Sequence, residues 1–142
     1  MPSLRGERTA SAVLLFGAAL VVAIVLGLIA GGYSYKAARE RRSEAIAVTH
    51  GDPDLGPAAI LRHGCGGCHT ISGVTGANGK IGPSLDDIAR RVYIGGVLPN
   101  TPDNLIGWIV DPHAADPKTA MPATGITPEE ARNVAAYLYA LR

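Results

Sequence analysis

The chain has 142 residues, of which 47% are apolar and 18% charged, and its formal net charge at neutral pH is +1. That balance lacks the basic excess a nucleic-acid binder needs, so nucleic acid is excluded as a partner. Charge is also uneven along the chain: residues 51–142 carry seven Lys plus Arg against nine Asp plus Glu, and the positive balance arises upstream of them.

Taken from the N-terminus, no charged residue lies between Thr9 and Tyr35, and Ala10 to Ala30 is almost wholly apolar. About 21 helical residues reach roughly 31 Å, the hydrocarbon thickness of a bilayer. A cleaved signal peptide is the competing reading, with Arg5 and Arg8 as its basic region and Ala30-Gly31-Gly32 as its cleavage site. Signal peptides use apolar runs of about 7–15 residues, so the length here favours a retained single-pass anchor over residues 1–32. Residues 33–55 are expected to be a charged linker. Lys36 to Val48 is rich in Ala, Arg and Glu and should be helical, with Gly51-Asp52-Pro53 as the break.

Gly56-Pro57 opens a short helix that runs into Cys65-Gly66-Gly67-Cys68-His69, which holds both cysteines of the chain. C-x-x-C-H reads as a c-type haem attachment site. Two thiols one turn apart can form thioethers along one edge of a porphyrin, and the following imidazole can bind the iron. Gly66 and Gly67 are expected to let the backbone lie flat on the macrocycle. The rival readings are weaker. A thioredoxin-like pair needs a surrounding βαβ pattern, and a structural zinc site needs a second ligand pair. His50, His63 and His113 are scattered singly. A disulfide across two residues would close too small a loop to stabilise much.

A second iron ligand is expected in Lys118-Thr119-Ala120-Met121-Pro122. Met121 supplies a soft thioether that raises the reduction potential, and Pro122 stiffens the loop that carries it. His113 is the competing ligand, while His50 and His63 are expected at the surface. Thr101-Pro102-Asp103 starts a helix with Leu105, Ile106, Ile109 and Val110 on one side and Asp111-Pro112 as its stop. Thr127-Pro128-Glu129-Glu130 is a capping box, after which Val134, Tyr137, Leu138 and Leu141 recur at helical spacing. Tyr137 should pack this last helix on the first. No strand alternation is evident, so the domain is expected to be all-α.

Residues 56–142 resemble a class I cytochrome c. The resemblance rests on the C-G-G-C-H, on Ile81-Gly82-Pro83-Ser84-Leu85, on the Lys118–Pro122 loop and on the Ala136-Tyr137-Leu138 helix. The stretch from Gly95 to Leu105, running on to Trp108-Ile109-Val110-Asp111-Pro112, is similar to the haem domain fused to subunit II of caa-type cytochrome oxidases. The copper domain of such subunits has no room here and no ligands. The resemblance implies a small fold around one covalent haem c, bound through Cys65 and Cys68 with His69 and Met121 as axial ligands. It also implies that the Pro83 carbonyl accepts the His69 ring proton, that Arg91 faces a propionate, and that Trp108 packs on the haem.

The function so implied is one-electron transfer in a respiratory chain rather than catalysis. The acceptor would be a terminal oxidase, and the donor a quinol-oxidising complex or dehydrogenase. A fixed subunit of a larger complex, a haem enzyme or gas sensor with a displaceable sixth ligand, and a thiol oxidoreductase are the alternatives. The resemblance places the haem domain on the periplasmic or external face of a bacterial plasma membrane. The basic residues Lys36, Arg39, Arg41 and Arg42 after the span argue the other way, because positive charge favours the cytoplasm.

Overall fold

The computed structural model describes the backbone of residues 4–141 and side chains from Leu14 onward, so the side chains of Arg5 and Arg8 lie outside the described residues. The chain forms two compact units, Met1–Ala38 and Arg39–Arg142. Helix α1, Leu4–Thr49, contributes to both.

In the first unit α1 is apolar on every side from Leu14 to Ile29, and none of the side chains in that stretch is buried. Leu14, Phe16 and Leu28 are each more than 70% exposed. By length and composition this helix can cross a membrane.

In the second unit the last turns of α1 carry a packed face. Ala45 and Thr49, one turn apart, are both buried. The Thr49 hydroxyl donates to the Ala45 carbonyl at 2.7 Å and accepts from Gly51 N–H at 3.2 Å, and His50 takes a left-handed φ of 54° that ends the helix. The helical run expected for 36–48 is therefore present, and from Arg39 onward it belongs to the same unit as the C-terminal domain. Arg42 forks onto the Asp54 carboxylate at 2.6 and 2.5 Å, and Asp52 N–H donates to Asn133 Oδ1 at 2.7 Å. At Gly51 the backbone crosses so close to the Arg132 carbonyl that a Cβ would overlap it.

Helix α2, Gly56–Arg62, crosses helix α5, Pro128–Ala140. Gly56 makes the crossing tight: a Cβ there would overlap Tyr137 Cβ and lie 2.8 Å from the Asn133 carbonyl oxygen. Tyr137 thus packs the last helix onto α2, as its spacing suggested, and its hydroxyl donates to the Ser72 carbonyl at 2.7 Å. Helix α3, Pro102–Val110, is capped by the Thr101 side chain and packs on α5 through Leu105, Trp108 and Ile109. Asp111 ends α3 and in turn caps a four-residue helix α4, Pro112–Ala115, accepting from His113 and Ala114 N–H. The capping box at α5 is complete.

The domain is mostly helical, with one small addition. Strands β1, Tyr93–Ile94, and β2, Leu98–Pro99, pair antiparallel, with Ile94 opposite Leu98. Gly95 and Gly96 both have positive φ, the requirement of a tight hairpin turn. Two-residue strands are too short to show alternation in sequence. The turn lies on the Trp108 ring, and a Cβ at Gly95 would come within 2.6 Å of Trp108 Cζ2. One core joins Ile60, Ile71, Ile88, Trp108, Val134 and Leu138 with their neighbours.

Candidate functional site

The end of α2 delivers the cysteine motif. Gly64, at φ 70°, reverses the chain, and Cys65–Gly67 form a 3-10 turn closed by Cys68 N–H to the Cys65 carbonyl at 3.2 Å. His69 N–H returns to the same carbonyl at 3.0 Å, so the motif is wound on a single acceptor. Cys65 and Cys68 are free, half-buried thiols, and burial pushes the Cys65 thiol up from its ordinary pKa.

Residues 70–85 wrap this turn. Gly79 N–H donates to the Gly66 carbonyl at 3.1 Å, Gly82 N–H to the Cys68 carbonyl at 2.8 Å, and the Thr70 hydroxyl to the Gly79 carbonyl at 2.9 Å. Gly66 has a reason beyond the one expected. A Cβ there would meet Ala77 Cα at 2.7 Å, so the glycine admits the facing loop, whereas Gly67 has open space around it.

His69 is fixed on two sides. Its Nδ1 lies 2.7 Å from the Pro83 carbonyl oxygen, which can only accept. Nδ1 therefore carries a proton in this bond, and Nε2 has no protein partner among the described residues. Gly82 lies against the ring: a Cβ would stand 2.6 Å from Nδ1 and overlap Cε1. Sequence reasoning singled out Pro83 and passed over Gly82, whose role shows only once the imidazole is in place.

Met121 is half-buried and packs on the same core as Cys65. Its N–H donates to the Thr119 hydroxyl at 3.3 Å. His113, the rival ligand, is exposed on α4, with its backbone N–H bonded to the Asp111 carboxylate. Trp108 is buried in the core under the Gly95 turn. Arg91 is half-buried and donates through Nη2 to the Ser84 carbonyl, next to Pro83.

His50 is exposed, as expected, but His63 is not a plain surface residue. It stands between Glu130 Oε2 at 3.2 Å and the Thr124 carbonyl at 3.4 Å. No sequence signal marks this, because Glu130 lies 67 residues away. Glu130 also pairs with Arg62, and its carboxyl is held below the ordinary range chiefly by the Thr127 backbone N–H. Asp86 is likewise held low, first by the Ser72 backbone N–H at 2.6 Å.

These residues suit an iron porphyrin. Two unpaired thiols one turn apart can form thioethers, an oriented imidazole offers Nε2, and a thioether sits on the shared core. Among the described residues no cluster of three or more His, Cys, Asp or Glu offers a metal site of another kind.

The model of the cytochrome c family matches residues 53–142, well over half of the chain. A curated relative, "Cytochrome c oxidase subunit 2" of Alkalihalophilus pseudofirmus, is 33% identical over 88 residues, which is 61% of this chain and 25% of that protein. The chain thus spans about a quarter of the length of the curated relative it matches. No solved structure matches significantly. The matched stretch runs from Pro53 through the motif, the methionine loop and α5. The chain belongs to the cytochrome c family, and covalent haem c at its C-x-x-C-H comes with that membership.

Proposed function

We propose that this protein is a membrane-anchored monohaem carrier that passes single electrons to a terminal oxidase. The bound haem c supplies exchange between Fe(III) and Fe(II). The chain's own part is to hold and tune it. Cys65 and Cys68 would fasten it covalently, and His69 Nε2 and the Met121 sulfur would be its protein ligands. The observation that carries the reading is the 2.7 Å bond from His69 Nδ1 to the Pro83 carbonyl. A ring held in this way has one tautomer and one orientation, and its free nitrogen is the more basic for it. Electron transfer gains from such rigidity, since little then has to move when the charge on iron changes.

Trp108 lies buried in the same core that Cys65 and Met121 pack against, and in this reading its ring faces the haem. Arg91 gives one nitrogen to the Ser84 carbonyl and offers the rest of its guanidinium to a propionate. The exposed apolar helix from Leu14 to Ile29 supports anchoring, with residues 1–32 as the anchor. We place the haem domain on the periplasmic side because covalent haem attachment, which the family implies, takes place there, and we weigh that above the basic residues that follow the span. Similarity to an oxidase subunit supports an oxidase as acceptor, with a quinol-oxidising complex or dehydrogenase as donor.

A redox titration of the full chain in detergent tests this. We expect a one-electron wave, haem that survives acid organic extraction, and a ferrous form that does not take up carbon monoxide. Ready carbon monoxide binding would indicate an open sixth site, as in a haem enzyme or sensor. Loss of haem on extraction, or full haem content in the Cys65→Ala/Cys68→Ala variant, would remove the attachment reading.

A further inference from the structure

We propose that His63 is a positioning residue for the methionine loop, tying the Thr124 carbonyl to the Glu130 carboxylate in a latch that closes fully when both its ring nitrogens carry protons. The inference rests on the reading of Met121 as an iron ligand.

Thr124 lies three residues beyond Met121, in the segment that leads to α5. Among the described residues, the backbone of residues 122–126 makes no hydrogen bond other than the one the Thr124 carbonyl accepts from His63 Nδ1. Ile126, 4% exposed, is the apolar anchor of that segment. Gly125, at φ 72°, turns the chain between the two fastenings. His63 itself is rigidly placed: it caps the C-terminus of α2, and its side chain is only 12% exposed. The latch therefore joins the end of α2, which leads into the cysteine motif, to the segment that follows the methionine loop.

The donors and acceptors dictate the proton count. The Thr124 carbonyl can only accept, and so can an ionised Glu130. A neutral imidazole has one N–H and satisfies one of them; the imidazolium satisfies both. The charged groups at His63 are Glu130 from α5, at 3.2 Å, and Arg62 from α2, which pairs with the other oxygen of the same carboxylate. Glu130 is also fixed by Thr127 N–H and hydroxyl, so it is a stationary partner. Loss of the His63 proton removes one fastening and one positive charge. Both changes disfavour the ferrous state, so a His63 without that proton gives a lower potential than one with it.

The test uses the full-length holoprotein with His63→Ala, His63→Gln and a control, Arg62→Ala, which touches Glu130 but not Thr124. Losing one hydrogen bond should speed proteolytic cleavage within residues 122–126 about fivefold in His63→Ala. His63→Gln keeps an amide N–H for Thr124 but carries no titratable proton. It should restore resistance to cleavage while flattening the pH dependence of the potential relative to wild type. Arg62→Ala should keep the wild-type cleavage rate and the wild-type pH slope. Unchanged cleavage in His63→Ala, or a wild-type pH slope in His63→Gln, overturns the proposal; should His63→Ala fail to fold, the Gln variant decides. Cleavage is read whichever group binds iron. A wild-type protein lacking the sulfur-to-iron absorption band therefore sinks the Met121 reading separately and leaves the latch to be judged on cleavage.

Discussion

The His69 imidazole and the Gly82 α-carbon are in such close contact that no side chain fits between them, a Cβ at 82 falling 2.6 Å from Nδ1. Since the same Nδ1 is bonded to the Pro83 carbonyl at 2.7 Å, the ring has no room to yield without breaking that bond. Gly82 therefore secures the position of the imidazole, and Pro83 secures its tautomer.

It follows that Gly82→Ala should displace the ring rather than strain the backbone. Overpacking of this kind costs about 1–3 kcal/mol. We expect a lower yield of holoprotein, a lower denaturation midpoint and a shifted potential. Wild-type values in denaturant titration and potentiometry would mean that the ring is not confined as described.

Acid stability follows from three carboxylates held below their ordinary range. Asp54 is held by the Arg42 side chain, Asp86 by Ser72 N–H and Glu130 by Thr127 N–H. A depressed folded pKa gives stability that is present above the unfolded value and lost as pH falls through the folded one. Stability should therefore hold above about pH 5 and decline below about pH 4. Asp86→Asn should shallow that decline, as read by denaturant midpoints across the range. An equally steep decline would remove Asp86 from the account.

Met121→Ala should open the sixth position while the fold and the thioether-bound haem persist. The potential should fall, and carbon monoxide should bind the ferrous form. An unchanged potential together with an unchanged sulfur-to-iron band would pass the role to another group. His113, exposed on α4, is the first to try by substitution.

Much of this was legible in the sequence because it is local. The capping box at Thr127 and Glu130, the Pro-led starts of α2 and α3, and the C-x-x-C-H turn each depend on residues within one helical turn of one another. What escaped is set by distant partners. Gly51 is bare because the Arg132 carbonyl lies on it, Gly66 because Ala77 does, and Gly95 because Trp108 does. His63 gave no sign of burial because its partners, Thr124 and Glu130, come from the far end of the chain. The same holds for Ala45 and Thr49. In sequence they belong to a charged, alanine-rich run that reads as a solvated linker, and only the folded domain gives them a surface to pack on.

That last difference sets where the anchor can be cut. Deleting residues 1–32 behind a cleavable signal leaves Arg39–Thr49 in place, with Ala45 and Thr49 buried and Arg42 paired to Asp54. Spectrum, potential and stability should match the full chain. Deleting residues 1–50 removes those contacts and should cost about 1–3 kcal/mol, measured by denaturant midpoint, although the cysteine motif and methionine loop are untouched. The shorter deletion then isolates anchoring from folding. Confinement by a tether gives effective concentrations in the millimolar range, so its loss should slow oxidase-linked electron flow in membranes. Salt should matter little, because Lys80 and Lys118 are the only lysines in residues 51–142 and long-range steering is weak. If the soluble form supports respiration at the full rate, tethering is not what sustains the partnership. If the anchored form is oxidised no faster by oxidase-containing membranes than by oxidase-free ones, the acceptor is another respiratory complex.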